Sequence, residues 1–178
     1  VKETKNDFSQ GSVPKLIWKL AVPMIVAQVV NALYSIVDRV YIGHMAGGGQ
    51  LALTGIGLCF PITMTVAAFS ALIGYGGAPL SSILRGRKDA DGAERVLGNS
   101  VSALCVLGIL IPLACFFLRR PVLYLFGASD ATFPYADQYI TIYLTGSLPV
   151  MLTLGLNAFI NAQGFTRDGM VTVGIGAV

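Results

Sequence analysis

"LIWKLAVPMIVAQVVNALYSIVDRVYIG", residues 16–43, decides the fold. The run exceeds the roughly 20 apolar residues that cross a hydrocarbon core of about 30 Å. It is also far longer than a signal-peptide core of about 7–15 residues, and no small-residue cleavage site follows it. Near its far end it carries Asp38 and Arg39 side by side, where charge is costly. A membrane span that keeps a carboxylate has a use for it, and the rest of the chain bears on what that use is.

Composition places the whole chain in the same setting. Hydrophobic residues make up 54% and charged residues 12% of 178 positions, against about 25% charged in an ordinary soluble domain. Too little polar surface remains to cover a globule in water, so a polytopic membrane protein is expected. The formal charge of +3 comes from short basic clusters at span ends, the pattern of membrane topology rather than of nucleic-acid binding. Cys59, Cys105 and Cys115 all fall inside apolar stretches. An odd number so placed argues for packing residues and against a disulfide framework.

Working outward, long apolar stretches cover residues 16–42, 51–84, 96–118 and about 138–163, and another opens at Met170. Each of the first four can span. The second is over-long and contains "GYGGAP" at 74–79, where a break or bend is expected before the basic loop. From Met170 to Val178 a helix would rise only about 14 Å, so the chain is expected to be a piece of a longer protein, in keeping with Val1 in place of a methionine. The organisation is a terminal segment, 1–13, followed by a partial transmembrane domain, 14–178. Proline lies inside every span, at Pro23, Pro61, Pro112 and Pro149, and the chain has 21 glycines, which suits helices that bend around a cavity. "VPMIVAQVVNAL" and "LPVMLTLGLNAF" also share the Pro-to-Asn-Ala spacing at Pro23/Asn31 and Pro149/Asn157, the kind of echo that internal repeats leave in transporters.

Loop charge gives the orientation. Lys2, Lys5 and Lys15 precede the first span and Lys19 lies in its first turn, Arg85, Arg87, Lys88 and Arg95 follow the second, and Arg167 follows the fourth. The first loop, "GHMAGGGQ", has no Lys or Arg, and the third has only Arg119 and Arg120. The positive-inside rule puts the N-terminus in the cytoplasm. The expected location is the cell membrane, specifically a bacterial inner membrane.

In the first span, Gln28, Asn31, Ser35 and Asp38 fall within roughly 80° of arc at about 100° per residue, and Tyr34 widens the stripe. A carboxylate in a membrane costs about 2.5–3.5 kcal/mol on insertion scales. Three readings of Asp38 compete: an acid snorkelling outward beside Arg39, a structural partner for a base on another helix, and a cation or proton site in a transport cavity. The stripe reaching inward from the acid favours the last, because snorkelling gives no reason for it. In the fourth span Tyr139, Tyr143, Thr153 and Asn157 are expected on one face, with Gly146 between them leaving room for a neighbour or a ligand. Tyrosines there could stack on a flat cation, or Tyr139 could belong to the interfacial aromatic belt. His44, the single histidine, sits in the glycine-rich outer loop with no acidic neighbour and carries no argument.

An enzyme is not expected. The chain holds no HExxH, no GxSxG and no Cys/His cluster, so neither a catalytic site nor a metal site is indicated. "GIG" at 55–57 and "GYGG" at 74–77 lack the context of phosphate loops. Any transport would draw on an ion gradient rather than on ATP bound here.

"LAVPMIVAQVVNALYSIVDRVYIGHM", "LALTGIGLCFPI" and "LNAFINAQGFTRDG" together resemble the MATE family, the multidrug and toxic compound extrusion transporters, from about Gly11 to the end of the chain. The resemblance implies an all-α bundle, the first four helices and the start of the fifth of a twelve-helix, two-lobed transporter. It implies export of cationic, often aromatic compounds in exchange for sodium ions or protons, with no cofactor beyond that coupling ion. It implies small organic cations, membrane lipid and the remaining helices of the same protein as partners, and no nucleic acid. On this resemblance Asp38 is the first-helix acid of the N-lobe cation site, Pro23 the first-helix proline where bending occurs, and Asn157 a cavity-facing asparagine of the fourth helix. The asparagine and second aspartate of the fifth helix are not reached by "VGIGAV". Asn161 departs from the arginine common at its place, which puts that arginine's inner-end contact in doubt. A lipid-linked oligosaccharide flippase of the same superfamily, whose pyrophosphate cargo calls for a basic cavity, is the alternative, and a helix-packing module without transport activity is a third reading.

Overall fold

The computed structural model describes residues 12–44 and 48–176. Lys2, Lys5 and part of the first outer loop, 45–47, lie outside the described residues. Seven helices account for the fold, with no strand among the described residues: α1 (Val13–Gly43), α2 (Gly49–Leu58), α3 (Phe60–Gly86), α4 (Ala90–Leu125), α5 (Phe133–Thr145), α6 (Ser147–Ala162) and α7 (Thr166–Gly176). By length and composition α1, α3 and α4 can each cross a membrane, and α5 with α6 forms a fourth span bent by 60°. The expected all-α polytopic bundle is what the chain forms.

The boundaries differ from expectation in ways that local chemistry explains. The second span does not break at "GYGGAP": α3 stays helical through Pro79, and the interruption falls at Cys59, with Pro61 in the first turn of α3. Pro61 can donate nothing to Gly57, and a proline is at home in a helix's first turn. The glycines at 74–77 stay helical because they are the contact surface: a Cβ on Gly74 would lie 2.9 Å from the Gly155 carbonyl oxygen of α6. One on Gly77 would lie 2.6 Å from both Phe159 and the Ser100 hydroxyl. In place of the 96–118 span, α4 begins at Ala90, where the Asp89 carboxylate accepts the Gly92 N–H at 2.9 Å. It runs on to Leu125, so Arg119 and Arg120 are helical residues and not loop residues. The fourth span starts at Phe133, earlier than 138, and α7 starts at Thr166, earlier than 170. Between α6 and α7 the chain turns through Gly164 at φ 83, a conformation that favours glycine, with the Phe165 N–H reaching the Ile160 carbonyl at 3.2 Å.

Two packing regimes hold the bundle together. Toward the end of α4 distant from the 85–95 loop, Cys59, Ile62, Val66, Leu123, Ile140 and Met151 form a core of full-sized side chains drawn from α3 to α6. Toward the 85–95 loop, small residues let α3, α4 and α6 approach closely, with Leu104 fully buried against Gly155. Close approach through small residues strengthens the van der Waals packing that helps drive helix association in lipid, where exclusion of water from apolar surface contributes little.

At the end of α4 distant from the 85–95 loop, Arg119 of α4 joins Asp137 of α5, Nε to Oδ1 at 2.6 Å, and its Nη1 donates to the Phe116 carbonyl at 2.9 Å. Both side chains are about three-tenths exposed (27% and 30%). Arg119→Gln strips a charge-assisted bond from a half-buried carboxylate, a loss of roughly 1.5–3 kcal/mol. Thermal unfolding of the complete protein in detergent is expected to show a lowered midpoint for Arg119→Gln. Adding Asp137→Asn should recover part of it, since two amides can pair.

Candidate functional site

The site is built from α1 outward. Pro14 sits in the first turn of α1 and Pro23 lies inside it, yet the helix continues unbroken to Gly43. No residue of α1 is buried among the described residues, and the helix packs against α7 and α2. Gln28, Asn31, Ser35 and Asp38 are all exposed, and Tyr34 is 52% exposed. The stripe therefore stands on an open flank of the bundle.

Across from its C-terminal end lies α5. The Tyr139 phenol is within electrostatic reach of Asp38, Tyr34 and Arg39, and of Cys59 at the α2–α3 break. Tyr139 stacks on Tyr143, one turn along α5, with ring centroids 6.4 Å apart and planes 16° from parallel. Both rings rest on the outer core, which holds them in place. Of the stacked pair, Tyr139 is thus the member within electrostatic reach of Asp38 and Tyr34. Among the described residues Asp38 forms no ion pair, with Arg39 or any other base.

The face expected to join Tyr139, Tyr143, Thr153 and Asn157 is divided. The 60° bend at Gly146 separates the tyrosines of α5 from Thr153 and Asn157 of α6. Pro149 removes the helical donor of the Thr145 carbonyl at this point. Thr153 is exposed and turns its hydroxyl back to the Pro149 carbonyl at 2.8 Å. Asn157 is half-buried and accepts from the Asn161 amide at 2.6 Å. That pair sits against Gly169 of α7, where a Cβ would lie 2.7 Å from the Asn161 Oδ1. Asn157 is thus grouped with the α6–α7 contact, apart from the tyrosines. Sequence reasoning missed Asn161 as its partner, although an Asn pair four residues apart on a helix is a readable signal. No cluster of His, Cys, Asp or Glu among the described residues could hold a metal ion. His44 turns its Nδ1 to the Val40 carbonyl at 2.8 Å and closes α1.

By length and composition the described residues form a multi-pass membrane helix bundle with one bent span. Residues 23–178 match the MatE family model, and the chain belongs to that family. It is 26% identical over 164 residues to the multidrug export protein MepA of Staphylococcus saprophyticus, covering 92% of this chain and 36% of that protein. It is 27% identical over 157 residues to MepA of Staphylococcus haemolyticus, covering 88% of this chain and 34% of that one. Over 144 residues it is 27% identical to the probable multidrug resistance protein YpnP of Bacillus subtilis, covering 80% and 32% respectively. The chain therefore spans about a third of the length of these relatives. A crystal structure of MATE in complex with MaD5 superposes with a TM-score of 0.86 at 22% identity, over 99% of this chain and 39% of that one, which establishes the shared fold.

Proposed function

We propose that the complete protein is a secondary antiporter of the cell membrane that exports lipophilic organic cations in exchange for sodium ions or protons. The observation that carries this reading is the placement of Asp38 and Tyr34 within reach of the stacked Tyr139–Tyr143 pair. The carboxylate supplies the charge that draws a cation into a low-dielectric site, and the phenol faces supply a surface for a flat, weakly hydrated one. Sodium or a proton competes for the same carboxylate, so loading one ligand releases the other. Gln28, Asn31 and Ser35 continue the polar path along α1, and Asn157 with Thr153 serves a second part of the cavity beyond the bend.

Pro23 acts as the hinge. It removes one helical hydrogen bond from α1, and with no buried residue on that helix, bending empties no packed core. The names of the MepA relatives support drug export, and the basic 85–95 loop supports a cytoplasmic N-terminus. A pyrophosphate-linked cargo would be repelled by Asp38, which is why we favour the cation reading over a flippase.

The test is uptake of a fluorescent aromatic cation into everted vesicles carrying the complete protein, under imposed proton or sodium gradients. Accumulation driven by one of the two gradients supports the reading and names the ion; accumulation indifferent to both refutes it. In the same assay Tyr143→Ala is expected to raise KM about fivefold, as loss of one cation–π face predicts, with kcat little changed.

A further inference from the structure

Away from α1 and α7, a groove of about 300 Å3 lies between α4 and the bend of α5 and α6, with Ile109, Pro112, Leu113, Phe116, Thr145 and Leu148 in its lining. We propose that it holds an acyl chain of one phospholipid, whose phosphate is bound by Arg120. Ile109, Leu113, Phe116 and Arg120 follow one another at spacings of four, three and four residues, so they share a face of α4. The apolar part of that face is about 10 Å long, and Arg120 stands about 6 Å beyond Phe116, one turn further toward the membrane surface. A hydrocarbon tail below and a phosphate above is the order in which this face presents its chemistry.

Charge chooses the occupant. Arg119, on the neighbouring ridge, stacks 4.1 Å over the Phe116 ring and is held by Asp137. Asp137 takes up its charge. Arg120 is exposed, lies 5.9 Å over the Phe133 ring, and meets no carboxylate in an ion pair among the described residues. Asp130, the nearby acid, accepts the Tyr124 hydroxyl at 2.9 Å, and Tyr124 in turn interacts with Arg120, which still leaves that guanidinium exposed. A guanidinium in that setting suits a phosphodiester. Ile109 (57% exposed) and Leu113 (51% exposed) stay open to whatever enters from the side.

The experiment labels the complete protein in membranes with phosphatidylglycerol carrying a photoactivatable acyl chain, and separately with the matching diacylglycerol, which lacks the phosphate. Cross-links are mapped by mass spectrometry. Label from phosphatidylglycerol is expected in segments 109–116 and 145–148. It should fall about fivefold in Arg120→Gln, to the diacylglycerol level, while diacylglycerol labelling is the same in both proteins. Equal phosphatidylglycerol labelling of the wild type and Arg120→Gln overturns the proposal. So does absence of label from both segments, which would mean that another part of the protein or a second copy covers the groove.

Discussion

Gly74→Leu is expected to eliminate most of the folded protein, whereas Gly76→Leu, two residues along the same helix, is expected to be tolerated. Even a Cβ at position 74 meets backbone: 2.9 Å to the Gly155 carbonyl oxygen, 3.1 Å to its Cα, and 3.2 Å to the Ala158 Cβ. Backbone cannot rotate away as a side chain can. Nor can α6 retreat freely, because Gly155 is itself pressed against the fully buried Leu104 of α4. Exchanging glycine for leucine in a helix returns about 1 kcal/mol of propensity. Forcing extra methylenes into a filled contact costs typically 1–3 kcal/mol, and more when the obstacle is main chain. The clash therefore wins at 74. At 76 nothing lies within 4 Å of the added carbon, and only the propensity gain remains. Size-exclusion profiles of the complete protein in mild detergent measure the difference. Equal recovery of the two variants would show that α3 and α6 are not packed as described.

The same contact shows where sequence reasoning reached and where it stopped. Hydropathy and span length were enough to recover the all-helical, multi-pass fold, because the cost of an unsatisfied backbone in lipid leaves a chain few other options. They were not enough to place the breaks. "GYGGAP" has the composition of a turn, and in water it would form one; packed against Gly155 and Phe159 it is the most closely approached part of a continuous helix. The break at Cys59–Pro61 and the bend at Gly146 depend on which carbonyls find other donors, and that is decided by neighbouring helices. The Asp38 stripe was legible because one helix supplies all of it. The reach of Tyr139 to Asp38 was not read from the sequence, and the stacking of Tyr139 on Tyr143 only partly. A helical wheel drawn straight through Gly146 joins them to Thr153 and Asn157, which the bend sends elsewhere. Arg119 looked like a loop residue and proves to be the clasp between α4 and α5, since no local signal announces a partner eighteen residues away.

Asp38→Asn is expected to have the largest functional effect. The substitution keeps the size and polarity of the side chain and removes only the charge and the exchangeable proton. Asp38 is exposed on a helix with no buried residue, so folding should be affected by less than about 0.5 kcal/mol. An acid that served only to pair or to snorkel would leave transport unchanged once folding is preserved. An acid that alternately holds substrate cation and coupling ion cannot be replaced by an amide. The loss should reach about two orders of magnitude, the scale seen when a group that stabilises charge at a functional site is removed.

The decisive measurement is gradient-driven accumulation of a fluorescent organic cation in vesicles carrying equal amounts of the complete wild-type protein and of Asp38→Asn. The account predicts that the variant, folded and inserted as the wild type is, shows no accumulation above the gradient-free baseline. Accumulation by Asp38→Asn at the wild-type rate would contradict it and return Asp38 to the role of a surface acid beside Arg39.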